Sequence, residues 1–68
     1  MAKVYVTSFH KGNKMEDYEG NTVADIVRLM DISMNGVDIF INGEEASLSD
    51  ELEDKDTVSF QKNDVKNG

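Results

Sequence analysis

Cysteine is absent from this chain, histidine occurs once, and lysine and arginine together number only 7 in 68 residues. Without cysteine there can be no disulfide, no thiolate metal site and no cysteine nucleophile. The single histidine, His10, sits beside a turn with no second imidazole or thiol near it in sequence, so neither a metal site nor a nucleophile–base pair is expected there. No long apolar run follows the opening MAKVYVTSF, which argues against a signal peptide and a membrane span and points to the cytoplasm. No glycine-rich phosphate loop is present, so nucleotide binding is not expected, and no cofactor is called for.

The shortage of basic residues says most about partners. Asp and Glu number 14, and the formal charge is −7. Binding a phosphate backbone requires a basic footprint, so nucleic acid is not expected as the direct ligand. The same charge repels anionic membranes and favours association with a basic protein. The length allows one domain, near the lower limit for a core without disulfides or metal.

What is present reads as alternating strands around one helix. In KVYVTSF, residues 3 to 9, Val4 and Val6 alternate with Tyr5 and Thr7, the period of a strand. Gly12 and Asn13 then signal a turn into a second, more polar strand around KMEDY. Asn21 or Thr22 can cap a helix, with Asp25 as the acid of a capping box, and Val23, Ile26, Val27 and Met30 form one apolar stripe. VDIFI at 37 to 41 alternates again and runs into Asn42-Gly43, a strong hairpin signal leading to a short strand at Glu44 to Ser47. LSDELEDKD reads as a surface loop anchored by Leu48 and Leu52, and TVSFQ as the last strand, with Val58 and Phe60 inward. Ile39 and Ile41 complete the expected core. The fold class is therefore α+β, one sheet of four to five strands with one helix packed on one face. Residues 1–62 form the domain, and 63–68 are expected to be a flexible tail.

Three stretches, EGNTVADIVRLM, FINGEEASL and LEDKDTVSF, resemble in order and spacing the ubiquitin-like β-grasp fold. In particular they are similar to the small sulfur carriers of thiamine and molybdopterin biosynthesis and to TGS domains. The resemblance implies that the first and last strands lie parallel at the sheet centre, which makes the four- to five-stranded sheet a mixed one. For a sulfur carrier it also implies that the terminal glycine carboxylate, here Gly68, is adenylated by a partner enzyme and converted to a thiocarboxylate. Asn67 stands where such carriers have their penultimate glycine, and Lys55 stands where the family usually has a turn glycine. A carrier with a divergent tail is thus the alternative reading, and a regulatory β-grasp domain of a larger assembly is a third.

The leading expectation is a non-enzymatic module that binds a basic partner protein. Its sharper form is an inhibitor that mimics nucleic acid at a DNA- or RNA-binding protein. The expected contact residues are acidic: Glu16, Asp17 and Glu19 in the second strand, then Glu44, Glu45, Asp50, Glu51, Glu53, Asp54 and Asp56, which only Lys55 offsets. Asp50, Asp54 and Asp56 do not make a Ca²⁺ loop, because Leu52 and Val58 fall at ligand positions and the central glycine is missing; no metal is expected. Alternation directs Tyr5 and Phe40 to the sheet face away from the helix, with Ser59 between them, as a docking patch. The chain is expected to be a monomer or a homodimer, the latter through an open sheet edge.

Overall fold

β-Branched and aromatic residues that alternate with polar ones form five strands, and the one apolar stripe of helical period forms the helix. The computed structural model describes residues 1–63. In chain order the elements are β1 (Ala2–Ser8), β2 (Glu16–Gly20), α1 (Val23–Met30), β3 (Val37–Ile41), β4 (Glu44–Ala46) and β5 (Thr57–Lys62), with a single 3-10 turn at Phe9–Lys11 between β1 and β2. The sheet order is β2-β1-β5-β3-β4. β1 and β5 pair in parallel, and the other neighbours are antiparallel. This is a mixed five-stranded sheet with one helix, an α+β architecture of β-grasp-like form.

Register assigns each side chain to a face. Val4 and Val6 of β1, Val58 and Phe60 of β5 and Ile39 of β3 point toward α1 and are buried with Val23, Ile26, Met30 and Leu52. Val27, Val37 and Ile41 pack against this core while half-buried. Burying each such side chain contributes about 1.5–3 kcal/mol, which is how a chain this short holds together without covalent staples.

Local chemistry ends each element. Thr22 precedes the first helical turn in extended conformation, and the Asp25 carboxylate accepts from the backbone N–H groups of Asn21 at 2.9 Å and Thr22 at 3.2 Å. These bonds, with Arg28 at 3.3 Å, hold the Asp25 carboxyl below its ordinary value. Gly20 lets the helix start sit close on β2: a Cβ there would lie 2.9 Å from the Asp25 Cβ. Asn42 and Gly43 both have positive φ, 53° and 86°, the type I′ geometry that turns β3 into β4. Asn42 also ties this turn to β5, since its Oδ1 accepts from Thr57 N–H at 3.0 Å and its Nδ2 donates to Asp56 at 2.9 Å.

Leu48, expected in the core, is instead 42% exposed. β4 stops at Ala46, and the following segment crosses the start of α1 by backbone bonds rather than by side-chain burial. Ala24 N–H donates to Leu48 C=O at 3.0 Å, and Val23 N–H donates to Asp50 C=O at 3.1 Å. Those bonds satisfy the first orphan amides of the helix and turn the Leu48 side chain outward. Asn63, the first residue of the expected tail, donates its N–H to Gly36 C=O at 2.7 Å. The rest of that tail, with Asn67 and Gly68, lies outside the described residues.

Candidate interaction surface

The face opposite the helix carries a neutral strip between two acidic borders. Register puts Tyr5 beside Thr57 and Asp17, and Phe40 beside Ser59 and Glu45; Ser59 in turn neighbours Thr7. Tyr5 and Phe40 therefore flank a floor of small hydroxylated side chains, on strands β1 and β3 separated by β5. Both are half-buried. Asp17 and Glu19 border the strip on β2, and Asp38 and Glu45 border it on β3 and β4. Lys3 is the single cation on this face among the described residues, and it stands 3.8 Å from Asp17 with both side chains exposed. Such a pair contributes little to stability and yields readily to a competing cation.

The remaining acids divide by residue type. Asp50 accepts from Ser47 N–H at 2.9 Å, Asp54 from Lys3 N–H at 2.9 Å, and Asp56 from Glu53 N–H at 2.8 Å and from Asn42. Short side chains reach nearby amides, so Asp50 and Asp56 hold their own turns, while Asp54 ties its turn to the start of β1. Glu44, Glu45, Glu51 and Glu53 make no side-chain hydrogen bond or ion pair among the described residues, and all are exposed. With Asp50 and Asp56 they line an open cleft of about 490 Å³ at the β3–β4 end, floored by Ile41 and Ala46. Glu16 lies on the helix side of β2 and accepts from the Tyr18 hydroxyl at 3.0 Å. Partial burial, then this bond and the glutamate charge, raise the Tyr18 pKa above 10.0. The ten expected contact acids thus occupy three places rather than one. Asp17 and Glu19 are on the outer face, Glu16 is behind β2, and the rest gather at one end of the sheet, with Glu45 there also reaching the outer face beside Phe40.

Lys55 adopts φ 73°, the left-handed conformation that glycine takes most easily. Its N–H donates to Lys3 C=O at 2.8 Å while Asp54 takes the Lys3 N–H, so this strained turn clasps the start of β1.

Sequence reasoning missed a part-buried Ser–His contact. Ser8 is 1% exposed, and its Oγ lies 2.7 Å from His10 Nδ1 and accepts from His10 N–H at 3.1 Å. His10 Nε2 is 3.1 Å from Ser33 C=O, which can only accept. In the neutral ring Nε2 therefore carries the proton and Nδ1 accepts from the Ser8 hydroxyl. The serine oxygen is sealed from solvent, so the pair pins the 3-10 turn to the loop after α1 instead of offering a nucleophile. The signal available in the sequence was Ser8 itself, on the inward phase of Val4 and Val6. Leu29, on α1 but off the apolar stripe, is 59% exposed.

No protein-family model matches this chain, and no curated protein matches it.

Proposed function

We propose that this chain is a non-catalytic interaction module whose outer sheet face receives a basic protein. The observation that carries this reading is the layout of that face: Tyr5 and Phe40 over a floor of Thr7, Thr57 and Ser59, with acids on both flanks and Lys3 already paired. A flat, partly aromatic strip offers contact area, and like-signed borders select and steer a partner of opposite charge.

A sharper form of the reading is mimicry of nucleic acid. Four strand spacings separate β2 from β4, so the acidic borders stand ~19 Å apart. Backbone phosphates facing each other across a major groove, ~12 Å wide between their surfaces, are separated by a similar distance. Asp17 and Glu19, two residues apart on β2, repeat every ~6.7 Å along the border. A groove shaped for duplex DNA matches this spacing across the face and along its β2 border.

The test is capture of proteins on the immobilised chain at low salt, followed by elution with rising salt and, separately, with duplex DNA. The expected partners are basic nucleic-acid-binding proteins, released by both treatments and lost with the folded double variant Tyr5→Ser, Phe40→Ser. Partners that are not basic, or binding unchanged at high salt, would overturn the reading. Binding that resists DNA but yields to salt would overturn only the mimicry.

A further inference from the structure

Strand β2 is an edge of the sheet, and the direction of its backbone groups follows from its neighbour. In β1, Lys3 N–H donates to Asp54, Lys3 C=O accepts from Lys55 N–H, and Tyr5 N–H donates to Asp56 C=O. Lys3 and Tyr5 are thus turned toward β5. Alternate residues of a strand address opposite neighbours, so Ala2, Val4 and Val6 are turned toward β2. Their register partners are Gly20, Tyr18 and Glu16. The N–H and C=O groups of Asp17 and Glu19 are left pointing out of the sheet. β4, the other edge, has only three residues, while β2 has five. Beside β2 lie the two most exposed apolar side chains of this region, Met1 at 82% and Leu29 at 59%. With Tyr18 they border an open cleft of about 540 Å³.

We propose that the free edge of β2 accepts an extended segment of the partner as a sixth strand, basic on one face and apolar on the other. The inference rests on the acidic-module reading and specifies how the partner engages. Two backbone donors and two acceptors, at Asp17 and Glu19, await a strand that can answer them. On the outer face, the added strand's side chains lie across from the Asp17 and Glu19 carboxylates, where lysine or arginine is the complement. On the opposite face its side chains meet Tyr18 and Leu29, where apolar residues fit, with Glu16, already accepting from the Tyr18 hydroxyl, at the far end of the strand. A second copy of this chain is the wrong occupant, because two β2 edges side by side would bring Asp17 and Glu19 against their own like charges. The acids that invite a basic strand thereby also keep the protein from adding to itself.

The experiment uses the full chain and a capped hexapeptide of alternating lysine and valine at low salt. Two isomers are compared with it, one N-methylated at every lysine and the other at every valine. Whichever way the peptide runs, only one set of its amides faces β2. One isomer should therefore bind about as well as the parent and the other roughly tenfold or more weaker, having lost its pairing bonds. Hydrogen exchange supplies a second readout: the Asp17 and Glu19 amides should gain protection on binding, while those of Glu16, Tyr18 and Gly20 are protected beforehand. Isomers that bind alike, or Asp17 and Glu19 amides that stay unprotected in the complex, would overturn strand addition and leave the acidic-module reading standing. Failure of the parent peptide to bind at low salt would overturn both.

Discussion

Replacing Lys55 by glycine should stabilise this protein, although the substitution removes a side chain and a charge. Lys55 holds φ 73° in the Glu53–Asp56 turn, which closes with Asp56 N–H donating to Glu53 C=O at 3.1 Å. A positive φ at the third position is the requirement of a type II turn, which glycine meets without strain. For a residue with a Cβ that conformation costs about 1–2 kcal/mol. Glycine returns part of the gain, about 0.5–1 kcal/mol, through the added freedom of the unfolded chain. The net expectation is about 0.5–1 kcal/mol, or about 3–6 °C in Tm for a domain of this size. Lys55→Ala keeps the strain and loses the same charge, so it is the reference that isolates the backbone effect. Urea unfolding followed by circular dichroism, in salt sufficient to screen the neighbouring Glu53, Asp54 and Asp56, measures both variants with an unchanged m-value. A glycine variant no more stable than the alanine variant would refute the claim that Lys55 stores strain.

Gly20→Ala should destabilise by about 1–3 kcal/mol, because its Cβ would meet the Asp25 Cβ at 2.9 Å and the Ile26 Cδ1 at 3.1 Å; a wild-type urea midpoint would contradict the close approach. Asp25→Asn should lower Tm at neutral pH. Because the folded-state value of Asp25 lies below its ordinary 3.8, its contribution is present above that value and lost as pH falls through the folded one. The Tm gap between the two proteins should therefore narrow as the pH drops below about 4, and a gap constant into strong acid would rule out an ionic cap. Phe60→Ala, at a site 1% exposed, should cost about 3–5 kcal/mol, a large share of the stability of so small a domain, and appear as loss of the cooperative thermal transition.

The elements that could be read from the sequence were those specified by period and cap. Val4 and Val6, the Val23–Ile26–Met30 stripe, the Asn42-Gly43 turn and the Val58–Phe60 pair each announce their geometry within a few residues. Leu48 could not be placed this way. Its hydrophobicity argues for burial, but the deciding factor is a demand made by the first amides of α1, more than twenty residues earlier. The candidate surface was legible as composition and not as layout. No neighbour in sequence announces that the Asp54 carboxylate takes the amide of Lys3 while the adjacent Glu53 carboxylate has no partner among the described residues; the difference depends on which backbone each side chain can reach after folding. The Ser8–His10 contact is illegible for a similar reason, since Ser33, which anchors the His10 ring, lies on the far side of the helix in sequence.

The parallel pairing of β1 with β5 has a consequence for how the chain is made. The strand at the middle of the sheet, β5, is the last to be synthesised, and both halves of the molecule hydrogen-bond to it. Until it leaves the ribosome, the β1–β2 hairpin and the β3–β4 hairpin have no shared neighbour, and Val6 and Ile39 lack the Val58 and Phe60 side chains that complete their core. Closing so long a loop early brings an entropic penalty and no contacts to offset it. Folding must therefore wait until β5 has emerged and then occur in one step, so a ribosome stalled before Thr57 should hold a chain that any protease can cut.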